Sequence, residues 1–183
     1  DNPEWREEYR KLLHWDPAHL DDSIREQRKL VKEKPSDDAK HKLAELLARQ
    51  NPSSEEARSL YADLLKRKPD SAIAKKRLVE LYLVKKDYNR AKYYIDQILK
   101  NSPEDVDGRY FRGRLFLVER NAQKAYDDLG AAARGAPRFA PAQYFLGVSA
   151  LYLNKTAEAK ASFTKAAELA PNWQPPHVSL AQL

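Results

Sequence analysis

Alanine, a bulky residue and proline return in this chain at a single interval of 34 residues. Ala57, Ala91, Ala125 and Ala159 are each 34 apart. Tyr61, Ile95, Leu129 and Phe163 keep the same interval four positions later, and Pro35, Pro69, Pro103, Pro137 and Pro171 keep it again. A period of this size means stacked supersecondary units, each unable to bury its apolar face without its neighbours. The spacing within a unit is helical. Phe145, Leu146, Ala150 and Leu153 fall on one helix, and Ala159, Phe163 and Ala166 lie along one stripe of the next. The expected fold is therefore all-α, a solenoid of antiparallel helix pairs.

The pattern divides the chain into an atypical N-terminal helix pair at 1–37, repeats at 38–71, 72–105, 106–139 and 140–173, and the start of a truncated further helix at 174–183. Helices are expected near 72–84, 88–100, 106–118, 122–134, 142–153 and 156–169. Each second helix should stop at its proline, which cannot continue a helix and restricts the residue before it. Asp70-Ser71, Glu104-Asp105 and Ser36-Asp37-Asp38 should cap helix starts. The unit at 38–71 is one residue out of step, with Pro52-Ser53-Ser54 lengthening its turn. Pro17 splits the N-terminal stretch into helices near 3–14 and 18–33. There, Ser23 and Gln27 stand where later units carry alanine and a bulky apolar residue. At the other end, Gln174-Pro175-Pro176 leads into a last helix from His177 to Leu183. That short helix should leave the face of the preceding unit poorly covered, and a homodimer through the C-terminal end is expected.

These positions resemble the tetratricopeptide repeat family, whose pattern runs Leu-Gly on the first helix and Ala-x-x-x-Phe, then Pro, on the second. Leu146-Gly147 with Ala159, Phe163 and Pro171 is the closest match. Gly113 with Phe116, Ala125, Leu129 and Pro137 follows, then Leu78, Tyr82, Ala91, Ile95 and Pro103 with Val79 in place of glycine. The family's early aromatic is missing at Lys75, Arg109 and Gln143. The resemblance covers about residues 38–173. It implies a right-handed superhelix whose first helices line a concave groove, and a scaffold that binds other proteins without doing chemistry itself.

By register the groove positions are Lys76, Glu80 and Leu83 in one unit, Tyr110, Arg114 and Leu117 in the next, and Tyr144, Val148 and Leu151 in the third. Tyr110 and Tyr144 should stack along the groove. Aromatic rings interleaved with Lys76 and Arg114 suit a protein or peptide segment of acidic and apolar character. Lys76 and Arg114 also stand where one sub-family grips a C-terminal carboxylate, but the paired asparagines of that clamp are absent. The Tyr-Phe-x-Gly rhythm at Tyr110–Gly113 and Tyr144–Gly147 is similar to that of bacterial envelope proteins supporting polysaccharide or protein export. That likeness implies the cell envelope or periplasm as the compartment.

Composition narrows the alternatives. Net charge is +6, and it concentrates in the middle: residues 72–105 carry eight basic and five acidic side chains, and 106–139 seven and four. RNA or an anionic polymer is accordingly the alternative partner. The four histidines, His14, His19, His41 and His177, are scattered across units at no metal-ligand spacing. The glycines form no phosphate-cradling loop, and acidic pairs such as Asp127-Asp128 and Glu55-Glu56 read as solvated charge. No catalytic residue, metal site or cofactor is expected. There is no cysteine to form a disulfide, and no apolar run of membrane-spanning length. With no methionine even at residue 1, the sequence is expected to be a fragment or a processed product.

Overall fold

A computed structural model describes residues 20–183. Among the described residues ten helices form. They are α1 (Leu20–Glu33), α2 (Asp37–Gln50), α3 (Glu55–Arg67), α4 (Ala72–Val84), α5 (Tyr88–Asn101), α6 (Val106–Val118), α7 (Ala122–Gly135), α8 (Ala140–Tyr152), α9 (Thr156–Leu169) and α10 (Gln174–Ala181). No strand occurs among the described residues. The helix expected near 3–14, with Pro17, His14 and His19, lies outside them.

The chain divides into two compact units, residues 20–98 of the described chain and Leu99–Leu183. In the first, α1 packs on α2, α2 on α3 and α3 on α4. In the second, each helix from α6 to α10 packs on the next, and α6 also touches α8 directly. Consecutive packing of this kind follows from short connections between amphipathic helices.

The helix ends show why the chain folds in this rhythm. Ser36, Ser54 and Ser71 each accept a hydrogen bond from the backbone N–H three residues on. Asp105 accepts from the N–H groups of Asp107 and Gly108, and Asn121 from that of Lys124. These side chains satisfy donors that the first helical turn leaves without partners. Pro35, Pro69, Pro103, Pro137 and Pro171 each stand two residues beyond a second helix, ending α1, α3, α5, α7 and α9. Proline also opens helices: α8 begins at Ala140, earlier than expected, with Pro141 in its first turn, and α10 takes up Pro175 and Pro176 instead of starting after them. The missing N–H costs nothing where no intrahelical partner exists.

The 34-residue registers form the core. Ala57 and Tyr61, Ala91 and Ile95, Ala125 and Leu129, and Ala159 and Phe163 are all fully buried. Glycine on the first helix makes room for the bulky partner. A Cβ at Gly147 would lie 2.6 Å from Phe163 Cε1, and one at Gly113 would lie 2.6 Å from Leu129 Cγ. In the aberrant N-terminal pair, Gln27 is buried at a position that is apolar in the later units. Its Nε2 donates to the Ala39 carbonyl at 2.9 Å, which removes the penalty of an unsatisfied amide.

Candidate interaction surface

The nine expected groove positions fall on first helices α4, α6 and α8. In the unit Leu99–Leu183 one of them, Arg114, is a cation held by rings. The Arg114 guanidinium lies 5.5 Å from the centre of the Tyr110 ring and 5.0 Å from that of Phe145. Nη1 also reaches the Tyr110 hydroxyl at 3.4 Å. Tyr110 and Arg114 are neighbours one turn apart on α6, whereas Phe145 comes from α8, so the cation bridges two successive first helices. Rings hold a guanidinium through their negative faces.

Tyr110 itself is not exposed. Phe139 meets it edge-on at 4.9 Å and Phe145 leans over it at 6.0 Å, leaving no accessible surface. The expectation that Tyr110 lines the groove as an accessible contact is corrected by its burial: register assigns a helix face, but Phe139 and Phe145 from α8 cover that face. Leu83 is buried as well. Tyr144 is half-buried, in ring contact with Phe145, Phe163 and Trp173. With Val148 it packs on the core formed by Ala150, Ala159 and Phe163. Leu117 and Val148 are half-buried and Leu151 is exposed. The surface that α6 and α8 present is thus an apolar strip beside a ring-held cation.

In the unit of residues 20–98 the same helix face carries charge. Lys76 and Glu80 are half-buried. Arg77, more buried than either, donates to Glu45 of α2 at 2.8 Å and lies 3.6 Å from Glu80, while Arg49 lies 3.7 Å from Glu45. Glu80 is therefore part of an ion network between α2 and α4. Such a network fixes the two helices in register.

Sequence reasoning missed Phe145, Phe139 and Trp173 as ring partners and Arg77 as a network centre. The recurrence of Phe145 one residue after the Tyr144 register was the available signal. Asp128 also departs from its reading as solvated charge. It is buried and accepts a two-pronged pair from Arg112, Nε to Oδ2 at 2.6 Å and Nη2 to Oδ1 at 2.9 Å. Among the described residues no group of three or more histidine, aspartate or glutamate side chains is placed to hold a metal ion, and no helix is long and apolar enough to cross a membrane.

One tetratricopeptide repeat model matches residues 53–115 and a second matches residues 140–172. No curated protein matches the chain in sequence. Among solved structures, the chain is similar to TTC0263, a thermophilic TPR protein of Thermus thermophilus, at 21% identity over 89% of each chain with a TM-score of 0.68. It is similar to YrrB, described as a TPR protein with an unusual peptide-binding site, at 16% identity over 90% of this chain and 84% of that one, TM-score 0.61. It is also similar to the first TPR of Spaghetti (RPAP3) bound to the HSP90 peptide SRMEEVD, at 20% identity over 61% of this chain and 88% of that one, TM-score 0.55. At these identities the likeness establishes the fold.

Proposed function

The chain belongs to the tetratricopeptide repeat family, and from that premise we propose that it is a non-catalytic scaffold holding a peptide or protein segment against its first helices. The observation that carries this is the seating of Arg114 against Tyr110 and Phe145, with half-buried Leu117 and Val148 and exposed Leu151 at the other groove positions of the same two helices. A guanidinium held in place by rings loses little freedom when a carboxylate pairs with it, and the neighbouring apolar strip supplies area for a side-chain anchor. Two structural relatives support the reading by their descriptions, one having a peptide-binding site and the other a bound peptide with two glutamates and an aspartate. The ligand fitting Arg114 is accordingly acidic and partly apolar. The Tyr-Phe-x-Gly likeness supports a place in export or assembly at the bacterial envelope.

A pull-down from source-cell extract tests this, run with and without nuclease beside an Arg114→Ala/Leu151→Ser variant. A nuclease-resistant protein captured by the parent chain and lost in the variant is the expected result. Capture unchanged in the variant removes the groove from the account. Material lost on nuclease treatment instead favours RNA.

The C-terminal helix supports self-association as a second reading. Residues 174–183 carry no charge, and Val178 and Leu183 stand exposed. A second copy covering them gives a dimer by light scattering that Val178→Asp dissociates. A monomer at high concentration ends that reading.

A further inference from the structure

Tyr110 and Tyr144 are 34 residues apart, and so are Phe139 and Trp173. Each pair meets edge to face, Phe139 on Tyr110 at 4.9 Å and Trp173 on Tyr144 at 5.1 Å. The likeness stops at the next helix. Phe145 of α8 leans over Tyr110 at 6.0 Å, and Tyr110 and Phe139 are both buried. The residue of α10 that corresponds to Phe145 is Ser179, which has no ring to lay over Tyr144. Tyr144 and Trp173 are accordingly only half-buried.

Their polar tips are left over as well. Neither the Tyr144 hydroxyl nor the Trp173 indole N–H takes part in a hydrogen bond among the described residues. Both groups donate, so a ligand that covers these rings must offer acceptors. A bound α-helix offers few, because its carbonyls are bonded within it. A polyproline-type segment has no internal hydrogen bonds and keeps its carbonyls available. Aromatic-lined surfaces take such segments through their proline rings.

The open pair is continuous with the groove cation. The Arg114 guanidinium lies 5.0 Å from the Phe145 ring, Phe145 meets Tyr144 at 5.1 Å, and Tyr144 meets Trp173 at 5.1 Å. The charge on these first helices is of one sign. Residues 139–154 and 170–183 contain no aspartate, glutamate, lysine or arginine. Helix α6 carries Arg109, Arg112 and Arg114 against one acid, Asp107, which is buried. Glu104 and Glu119 stand outside the two ends of α6, and Arg109 holds Glu104. The acids of α9, Glu158 and Glu168, belong to a second helix, and Glu158 accepts from the Tyr126 hydroxyl.

We propose that the segment held against the first helices is extended and proline-bearing. Its proline lies on Tyr144 and Trp173, whose donors bind its carbonyls, and a carboxylate of the same segment pairs with Arg114. A chain of this form rises about 3.1 Å per residue, so the acid and the proline stand at most about five residues apart. The inference rests on the groove reading and adds to it the conformation and chemical class of the ligand.

The test uses the whole chain and three twelve-residue peptides. One has two aspartates four residues before a Pro-Pro pair, one has leucines in place of the prolines, and one has lysines in place of the aspartates. Calorimetry gives the affinities. The indole N–H resonance of Trp173, assigned by its loss in Trp173→Phe, reports the hydrogen bond. The proline peptide should bind on the order of fivefold more tightly than the leucine peptide and move that resonance, and the lysine peptide should not bind. Tyr144→Phe keeps the ring and loses only the hydroxyl. Its Tm should match the parent's, while its affinity for the proline peptide falls on the order of fivefold. Equal binding of the leucine and proline peptides, or Tyr144→Phe binding as the parent does, overturns the inference. If the binding then still falls in Arg114→Ala, the groove reading stands. Binding of neither acidic peptide, or binding that ignores Arg114→Ala, overturns both.

Discussion

The guanidinium of Arg114 on α6 lies 5.0 Å from the centre of the Phe145 ring on α8, so the cation central to the proposed interaction surface is held by the next helix pair as well as by its own. The contact couples the charge to packing, because whatever fixes α8 against α6 also fixes the charge.

Arg114→Ala removes both ring contacts. Each cation–π contact at a partly exposed site contributes about 0.5–1 kcal/mol, so denaturant unfolding should show a loss of about 1 kcal/mol with helical content unchanged. Arg114→Lys should recover less than the full loss, since an ammonium lacks the planar fork that stacks on a ring. Full recovery by lysine contradicts the ring-clamp description.

Close approach of the paired helices makes a second test. A methyl added at Gly147 meets the fully buried Phe163 ring at 2.6 Å, and Phe163 is already pressed on Ala159 and Ala150. Gly147→Ala should lower stability by about 1–3 kcal/mol through overpacking. Helix propensity alone runs the other way, favouring alanine by about 1 kcal/mol. A rise in Tm on Gly147→Ala therefore shows the ring moving aside and the contact looser than described.

Much of this was legible in the sequence. The alanine and bulky registers read as core are buried at every position, and α4, α6 and α9 have the bounds that spacing predicts. Those features depend on local periodicity and on residues that punctuate helices, both written along the chain. The fate of Tyr110 was not legible, because its burial depends on Phe139 and Phe145 arriving from the following pair. Nor was the pairing of Arg77 with Glu45 or of Arg112 with Asp128, which are 32 and 16 residues apart. Turn chemistry hid the left-handed Lys86 and Arg120, since glycine is the usual sign of such a conformation and neither position has it.

Acid should weaken one clip in particular. Asp37 opens α2 and receives Lys68 Nζ at 3.1 Å and Arg67 Nε at 2.9 Å from the end of α3. The hydrogen bond from Lys68, with the charge of Arg67 beside it, holds the carboxyl below its ordinary range. A carboxyl whose folded pKa is depressed adds stability above its unfolded value and loses it as pH falls through the folded one. Asp37→Asn should lower Tm at pH 7 and leave Tm unchanged relative to the parent at pH values low enough to protonate both states. Equal Tm values for the two chains at pH 7 contradict the clip.

The left-handed turns offer a stability test independent of any partner. Lys86→Gly should hold or raise stability by up to about 1 kcal/mol, the gain from relieving the strained region being partly offset by the added freedom of the unfolded chain. Asn154→Gly should change it less, asparagine being the more tolerant residue. Thermal melts of the two variants decide the order.

The most direct measurement places a photo-reactive phenylalanine analogue at Leu151, on the exposed end of the α8 strip, and for comparison at Lys160, an exposed position on second helix α9. Irradiation in source cells should join a protein partner to the chain labelled at Leu151, with the adduct lost when Arg114→Ala is added and none formed from Lys160. Adducts from Lys160 alone, or adducts at Leu151 that ignore Arg114, contradict a partner held against the first helices.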